Sequence, residues 1–478
     1  IPSKTDTVNV IEKGIGLIGV LNGGTVQHVI LENPHLESNS VCIGVIVGYA
    51  ENGQITGCKV IGGVPSSVID GDDYKDNASV TSNDGAYIYG KGYYAQAGAV
   101  TPPPFGEDGY KSQYALVGGI VGYAVGSTVI SGCEVNAYVR ATNRGVGGIA
   151  GALNGSASIS NCTQNGLVWG SMTGNGGITG IIVSNTVSDC TVNGCVYGKY
   201  SYVGGVVAVT AGTAKIQNCK IENGVVHTGF KNTSGGTRIG GIIGGSWVAA
   251  PEVTGCKAIN SKILSNATIC AAIVGVANNG IVIKDCEVTD CFVDDTNEPE
   301  NSAAKHEVAG ILGWGKVSVD VSGCTVKNST MVGNAYCSMI VGYADAPLTK
   351  ITNCTADNCE LRAGQSLGGI LGAATKHAEI SGCEVTNCTI AGTGAYIAGI
   401  HGEAQAGTEI SNCKVENTSL SQPAAKNFIG GINAYSKVGE LKVTDCKVID
   451  IDIFGGGQGN GCVIGRSDFA TIVKNCYV

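Results

Sequence analysis

One short unit recurs fourteen times along the 478 residues, and that recurrence leaves few folds open. Its anchor is Val29 in the first copy and a cysteine in the rest: Cys58, Cys133, Cys162, Cys190, Cys219, Cys256, Cys286, Cys324, Cys354, Cys383, Cys413, Cys446 and Cys476. Most steps are 28 to 30 residues; the exceptions are 75, 37, 38 and 33. A fixed period of this size marks a solenoid. Three residues before the anchor every copy carries Val or Ile, from Val26 and Ile55 to Val443 and Val473. Such β-branched residues suit a pleated, half-buried surface. Immediately before the anchor stands Gly, Asn or Asp, except for His28 in the first copy. Those types tolerate the left-handed backbone that a tight corner needs. Each copy therefore reads as strand, corner, strand, with the anchor and the residue two later sharing a face.

Stacking the copies as parallel strands puts like on like, so that each coil covers its neighbour's apolar face. The expected fold is all-β: a single parallel β-helix or β-solenoid over residues 1–478. It is right-handed by the chirality of parallel crossovers, with about 14 coils of ~29–30 residues and three short strands in each. A helical alternative fails. The apolar positions keep no 3.6 period, and 75 glycines would strip helices of propensity.

Three insertions interrupt the period. The longest, 64–113, is rich in Tyr, Gly and Pro; shorter ones fall at 226–238 and 292–307. The first holds Tyr74, Tyr87, Tyr89, Tyr93, Tyr94 and Tyr110, and its stretch AYIYGKGYYA reads as a hairpin about Gly-Lys-Gly. Insertions in repeat proteins usually project from one face, often the binding face. These six tyrosines are the candidate ligand-binding residues, since aromatic faces pack on sugar rings. The favoured reading of the tyrosines themselves is that they fold down onto the solenoid wall, as amphipathic aromatics routinely do.

Composition bounds the partners. The net charge is −9, and 29 Lys and Arg form no run, which argues against nucleic acid. No apolar stretch reaches 18 residues, so no membrane-spanning segment is expected. The 21 cysteines read first as a ladder of small buried thiols, with disulfides between coils as the alternative. No cofactor or metal is expected. There is no CxxC pair, and the six histidines, at 28, 35, 227, 306, 377 and 401, are scattered. Calcium at Asp70, Asp72 and Asp73, or at Asp294, Asp295, Glu298 and Glu300, is the less favoured alternative to solvated acidic loops.

A quartet, Gly-apolar-x-Gly, precedes each turn. It is seen in Gly16-Leu17-Ile18-Gly19, Gly119-Ile120-Val121-Gly122, Gly310-Ile311-Leu312-Gly313 and Gly369-Ile370-Leu371-Gly372. Ser160-Asn161-Cys162, Ser411-Asn412-Cys413 and Lys474-Asn475-Cys476-Tyr477 supply the later half. Together these resemble the GLUG-motif repeats of bacterial surface proteins. Ala208 and Ala434 depart from the last Gly, and Val45, Ala272, Met339 and Cys462 from the first. The resemblance implies a β-helical protein of the bacterial cell surface or exterior, from gut-type anaerobes, of a kind often called an adhesin. The motif also decorates some secreted proteases outside their catalytic domains, and it brings no catalytic residues with it. The x of the quartet is mostly apolar, as in Val47, Val121, Val207, Ile243 and Val341. Strict alternation would expose this row; a bend at the glycines would hide it, and that is the favoured reading.

The resulting expectation is a non-catalytic, adhesin-like repeat protein whose loops bind a glycan or a host or partner protein. The alternatives are a β-helical lyase or hydrolase acting on polysaccharide and a spacer for another domain. No clustered carboxylates suggest catalysis. The residues after the anchors, such as Lys59, Glu134, Lys257 and Glu287, alternate in sign and read as solubilising edge decoration.

Overall fold

In a typical coil the chain runs through five short strands: Ser366–Gly368, Leu371–Ala374, His377–Ser381, Glu384–Thr386 and Thr389–Gly392. Three had been expected. The extra strands come from the glycine quartet, which breaks one long strand with a bend, and from a second tight corner. The computed structural model describes residues 14–66, 69–70, 73–74, 85–91, 114–199, 202–228, 237–265, 269–295, 307–394, 396–422, 428–455 and 457–478. The fold is an all-β parallel β-solenoid of about 13 turns, with no α-helix among the described residues.

The chain divides into two compact units, Ile1–Phe230 with Ile242–Ala249, and Lys231–Gly241 with Ala250–Val478. Each is a stack of parallel coils. In the first, Gly14–Ile15, Cys42–Gly44, Tyr114–Gly118, Arg144–Gly147, Asn175–Gly176 and Val203–Gly204 pair in succession. In the second, the same side runs from Arg238–Gly240 through Ile269–Ala271, Glu307–Ala309, Tyr336–Ser338, Ser366–Gly368, Tyr396–Ala398 and Phe428–Gly430 to Gly459–Gly461.

The anchor corner is built as its residue types demand. All fourteen residues before the anchors have positive φ, from Gly57 at 62° and Asn161 at 52° to Asp445 at 56° and Asn475 at 54°. The Val/Ile row three residues earlier is buried in every coil except the last, where Val473 is exposed. All 21 cysteines are free thiols, and nineteen are buried. Their polar atoms have work at the corner. Cys383 Sγ donates to Ser381 O at 3.5 Å and to Ile351 O of the preceding coil at 3.8 Å. Cys413 and Cys446 repeat the geometry. A thiol is thus small enough for the core yet able to soften a carbonyl left by the turn. Burial pushes the Cys291 thiol up to about 11, so it stays protonated and unreactive.

A second corner lies four residues after most anchors. Asn223, Asn260, Asp290, Asn328, Asn358, Asn387, Asn417 and Asp450 all hold positive φ there. Their side chains ladder between coils: Asn358 Nδ2 donates to Asn328 Oδ1 at 2.9 Å, and Asn417 Nδ2 to Asn387 Oδ1 at 3.3 Å. Between the end coils the quartet row is buried, as the bend reading expects, with Ile18 and Ile464 half-buried at its ends; Ile120 and Val121, side by side in sequence, are both fully covered. Glycine is required at Gly118, where a Cβ would lie 2.0 Å from Val121 O, and at Gly122, where it would lie 2.5 Å from Ile43 N. Outside, Lys59 pairs with Glu134 at 3.0 Å and Lys257 with Glu287 at 2.9 Å across coils. These half-exposed pairs contribute little, at most ~1 kcal/mol each.

The long insertion is not one projecting loop. Its Tyr87–Gly90 is a wall strand that pairs in parallel with His35–Ser38 on one side and Tyr138–Ala141 on the other. With both edges taken, this strand cannot form the hairpin read from AYIYGKGYYA. The insertion instead contributes a strand that belongs to the coil. Ile69–Asp70 and Asp73–Tyr74 pair antiparallel before it. The shorter insertions spring from wall strands too, Val225–Thr228 and Phe292–Asp294.

Candidate functional site

In-register stacking repeats whatever a sequence places at a given offset, so an exposed functional row shows as one residue type recurring across coils. Two such rows meet at one corner of the second unit. The first lies at the start of the short strands: Tyr336, Ser366, Tyr396 and Phe428 are successive partners. The second lies two residues past the buried quartet position. It reads Trp314, Tyr343, Ala373, Glu403, Tyr435 and Arg466.

The rows face each other ring to ring. Tyr336 stacks on Tyr343 with centroids 4.7 Å apart and planes 18° apart. Trp314 leans on Tyr343 at 5.7 Å, with Lys316 Nζ 4.0 Å from the Trp314 ring. Further along, Tyr396 lies 4.8 Å from Tyr435 and 5.8 Å from Phe428, nearly parallel to the latter at 2°. The Arg466 guanidinium caps this group, 5.0 Å from the Phe428 ring. Between the two aromatic groups the coil carries only Ser366 and Ala373, and Tyr336 packs on Ala373. Trp314, Tyr343 and Tyr396 are half-buried and Arg466 is exposed, so the rows reach solvent at these residues, while Tyr336, Phe428 and Tyr435 are buried.

Polar groups at the corner are fixed in place. Ser366 Oγ donates to Glu403 Oε2 at 3.1 Å, and Gln405 Nε2 donates to Glu403 Oε1 at 3.0 Å. Tyr435 Oη donates to Asp468 Oδ2 at 2.7 Å, and Arg466 Nε to Asp468 Oδ1 at 2.7 Å. Arg466, then Tyr435, hold the Asp468 carboxyl below its ordinary range. Burial raises Tyr343 to about 12; burial and then Asp468 raise Tyr435 to about 12. Both phenols stay neutral at any ordinary pH. Beside the corner, on the same coils, runs an open groove of 390 Å³ lined by Val332, Asn334, Arg362, Ala391, Thr393 and Ser421, among others.

The tyrosines singled out from sequence fare differently. Tyr87 is 6% exposed and belongs to a cluster with Tyr138, Leu167 and Trp169. Tyr89 follows it on the same strand, with the Arg140 guanidinium 4.5 Å from its ring and 4.7 Å from that of Trp169. Tyr74 lies in the strand Asp73–Tyr74, and its side chain is outside the described residues, as are Tyr93, Tyr94 and Tyr110. Of the acidic residues weighed for calcium, Asp294 and Asp295 are buried, and Asp72, Glu298 and Glu300 fall outside the described residues. Among the described residues, no three His, Cys, Asp or Glu side chains converge, and no helix is long and apolar enough to cross a membrane.

The corner was missed in the sequence because its partners lie seven residues apart within a coil and about thirty apart between coils. The signal was there: one offset reads Tyr336, Ser366, Tyr396, Phe428 once the coils are aligned. His401 sits under the corner, on the strand that carries Glu403, and is fully buried. Burial pushes its pKa down to about 4, against the weaker pull of Glu403 and Asn433, so it fills a core position as the neutral ring. No protein-family model matches the chain, and no curated protein matches it.

Proposed function

We propose that this is a non-catalytic, adhesin-like repeat protein of the cell surface or exterior, and that the aromatic corner of its second unit binds a glycan. The observation that carries the reading is the pair of half-buried rings Tyr343 and Tyr396, backed by the buried rings of Tyr336 and Tyr435 and bordered by oriented hydrogen-bonding groups. Aromatic faces cover the apolar faces of sugar rings, while fixed carboxylate, amide and phenol groups meet their hydroxyls. The binding candidate thus moves from the tyrosine-rich insertion to this corner. A binding role fits better than hydrolysis or elimination. Both oxygens of Glu403 already accept hydrogen bonds, and Asp468 is held by Arg466 and Tyr435. General acid–base work needs a carboxyl free to exchange its proton with substrate. The resemblance to GLUG-motif repeats supports the surface location.

The test is glycan-array binding followed by calorimetry on the full chain and on Tyr396→Ala and Tyr343→Ala. A specific glycan should bind unchanged in structure, and each variant should weaken it at least tenfold. Base–aromatic and ring–aromatic stacking contacts of this kind carry about 1–3 kcal/mol. Equal binding by wild type and both variants would remove the corner from the reading. Turnover of the bound glycan would favour the enzyme alternative.

A further inference from the structure

We infer that the ligand is an extended, uncharged, β-linked polysaccharide lying along the coil stack, rather than a single terminal sugar. The inference rests on the glycan-binding reading above and goes on to name the class of glycan.

Three features point the same way. The first is spacing. Tyr336, Ser366 and Tyr396 are successive strand partners, so the half-buried rings of Tyr343, stacked on Tyr336, and of Tyr396 stand two coils apart, two strand spacings or ~9.6 Å along the stack. That is about the length of one disaccharide in a flat, extended chain. A small coil, Ser366 with Ala373, stands between the aromatic groups, where the alternate sugar would need room. A ribbon-like glycan with equatorial linkages keeps this direction over several units. An α-linked chain curls away from it.

The second feature is the groove. Val332, Arg362, Ala391 and Ser421 line it and are register partners on four successive strands. It therefore crosses the strands and runs along the stack for three spacings, ~14 Å. A site for a terminal sugar would be a closed pocket confined to one or two coils. This one is open along its length, and its 390 Å³ accommodates sugars in line.

The third feature is charge. The groove offers Asn334, Thr393 and Ser421, neutral groups suited to hydroxyls. Its cation, Arg362, is already paired with Glu360 at 2.5 Å. At the corner Arg466 is paired with Asp468 at 2.7 Å, while Glu403 adds a carboxylate. Lys316, at the Trp314 end, is held on that ring and by Asn278 Oδ1 at 3.1 Å, and a polyanionic glycan would be repelled by a chain of net charge −9.

Binding of β-1,4-linked gluco- and manno-oligosaccharides of two, four and six units is measured by calorimetry, beside an α-1,4-linked hexamer and polygalacturonate. Affinity for a β-linked series should rise at least tenfold from dimer to hexamer, and exceed that for the α-linked hexamer and the polyanion. Ala391→Arg should cost the hexamer at least tenfold, with an unaltered circular dichroism spectrum. The length series on the unaltered protein stands whether or not that variant folds. Binding that is equal for dimer and hexamer, or strongest for polygalacturonate, would overturn the inference and leave a glycan-binding corner in place. No binding to any glycan on a broad array would overturn both.

Discussion

The two units each hold a row of aromatic rings with a guanidinium among them, and the rows differ in how that cation is covered. In the first unit Tyr89, Arg140, Trp169 and Tyr197 are register partners; Tyr89 and Tyr197 are half-buried, Trp169 is only 1% exposed, and Arg140 is buried between rings. In the second, Tyr343 and Tyr396 are half-buried, Tyr336, Phe428 and Tyr435 are buried, and Arg466 is exposed. The ingredients match; the cover over the cation differs. A cation closed between ring faces contributes to folding, and the faces that hold it are occupied. The second unit leaves an open groove beside its half-buried rings, which a ligand can cover. A count of tyrosines points to the first unit, whereas that open ground points to the second.

The sharpest way to break this comparison is to remove the wall strand. Replacing residues 65–112 by a short Gly-Ser link deletes Tyr87–Gly90, leaves the facing edges of His35–Ser38 and Tyr138–Ala141 unpaired, and opens the Trp169 cluster. The expected loss in the first unit is on the order of 5 kcal/mol, from several backbone hydrogen bonds at ~1 kcal/mol each and the burial of Tyr87. Trp169→Ala is the point version, with an expected cost of ~3–5 kcal/mol. Urea unfolding should show both losses, while glycan affinity at the second unit stays as it was. Loss of glycan binding in folded Trp169→Ala would undo the division of labour.

His401 sharpens the comparison from below the open corner. Its folded pKa is about 4 against an ordinary 6.5, so between those values the unfolded chain binds the proton and the fold does not. Stability is therefore complete above pH 6.5, falls by ~1.4 kcal/mol per pH unit as the pH drops, and levels off below about 4. His401→Leu, matching Leu371 of the preceding coil, should abolish that component. Thermal melts from pH 7.5 to 4.5 should show the gap between wild type and variant widening on acidification. A constant gap would mean that the ring is not held neutral.

Much of the frame was legible, and the reasons are local. Corner residues before the anchors must adopt a left-handed backbone, so their identity is written as Gly, Asn or Asp. The second corner was equally written, in Asn223, Asn260, Asn328, Asn358, Asn387 and Asn417, but the residue after it varies from coil to coil and so gives no constant mark like the cysteine that follows the first. The wall strand was hidden by its company. Tyr87-Ile88-Tyr89-Gly90 sits in an irregular insertion, yet it matches Leu167-Val168-Trp169-Gly170 and Cys195-Val196-Tyr197-Gly198 position for position. The open corner was less legible because exposure is set by packing from other coils, which no single repeat records.

The smallest expected effect tests whether the two units share one frame beneath their different rows. Asn161 in the first unit and Asn412 in the second hold the same corner, each with φ at 52°. Alanine at either position keeps the left-handed backbone without the local side-chain hydrogen bonding that eases it, at a cost of ~1 kcal/mol. Glycine, already native at Gly132 and Gly382 with φ of 61° and 63°, should cost much less. Matched losses at the two sites in urea titrations, with glycan affinity unmoved, would place the difference between the units in their outward rows alone. A larger loss at Asn412 that also weakened the glycan would instead make the corner geometry part of the binding face, since the strand Thr408–Ser411 leading into it pairs with His377–Ser381, the strand that follows Ala373 in its coil.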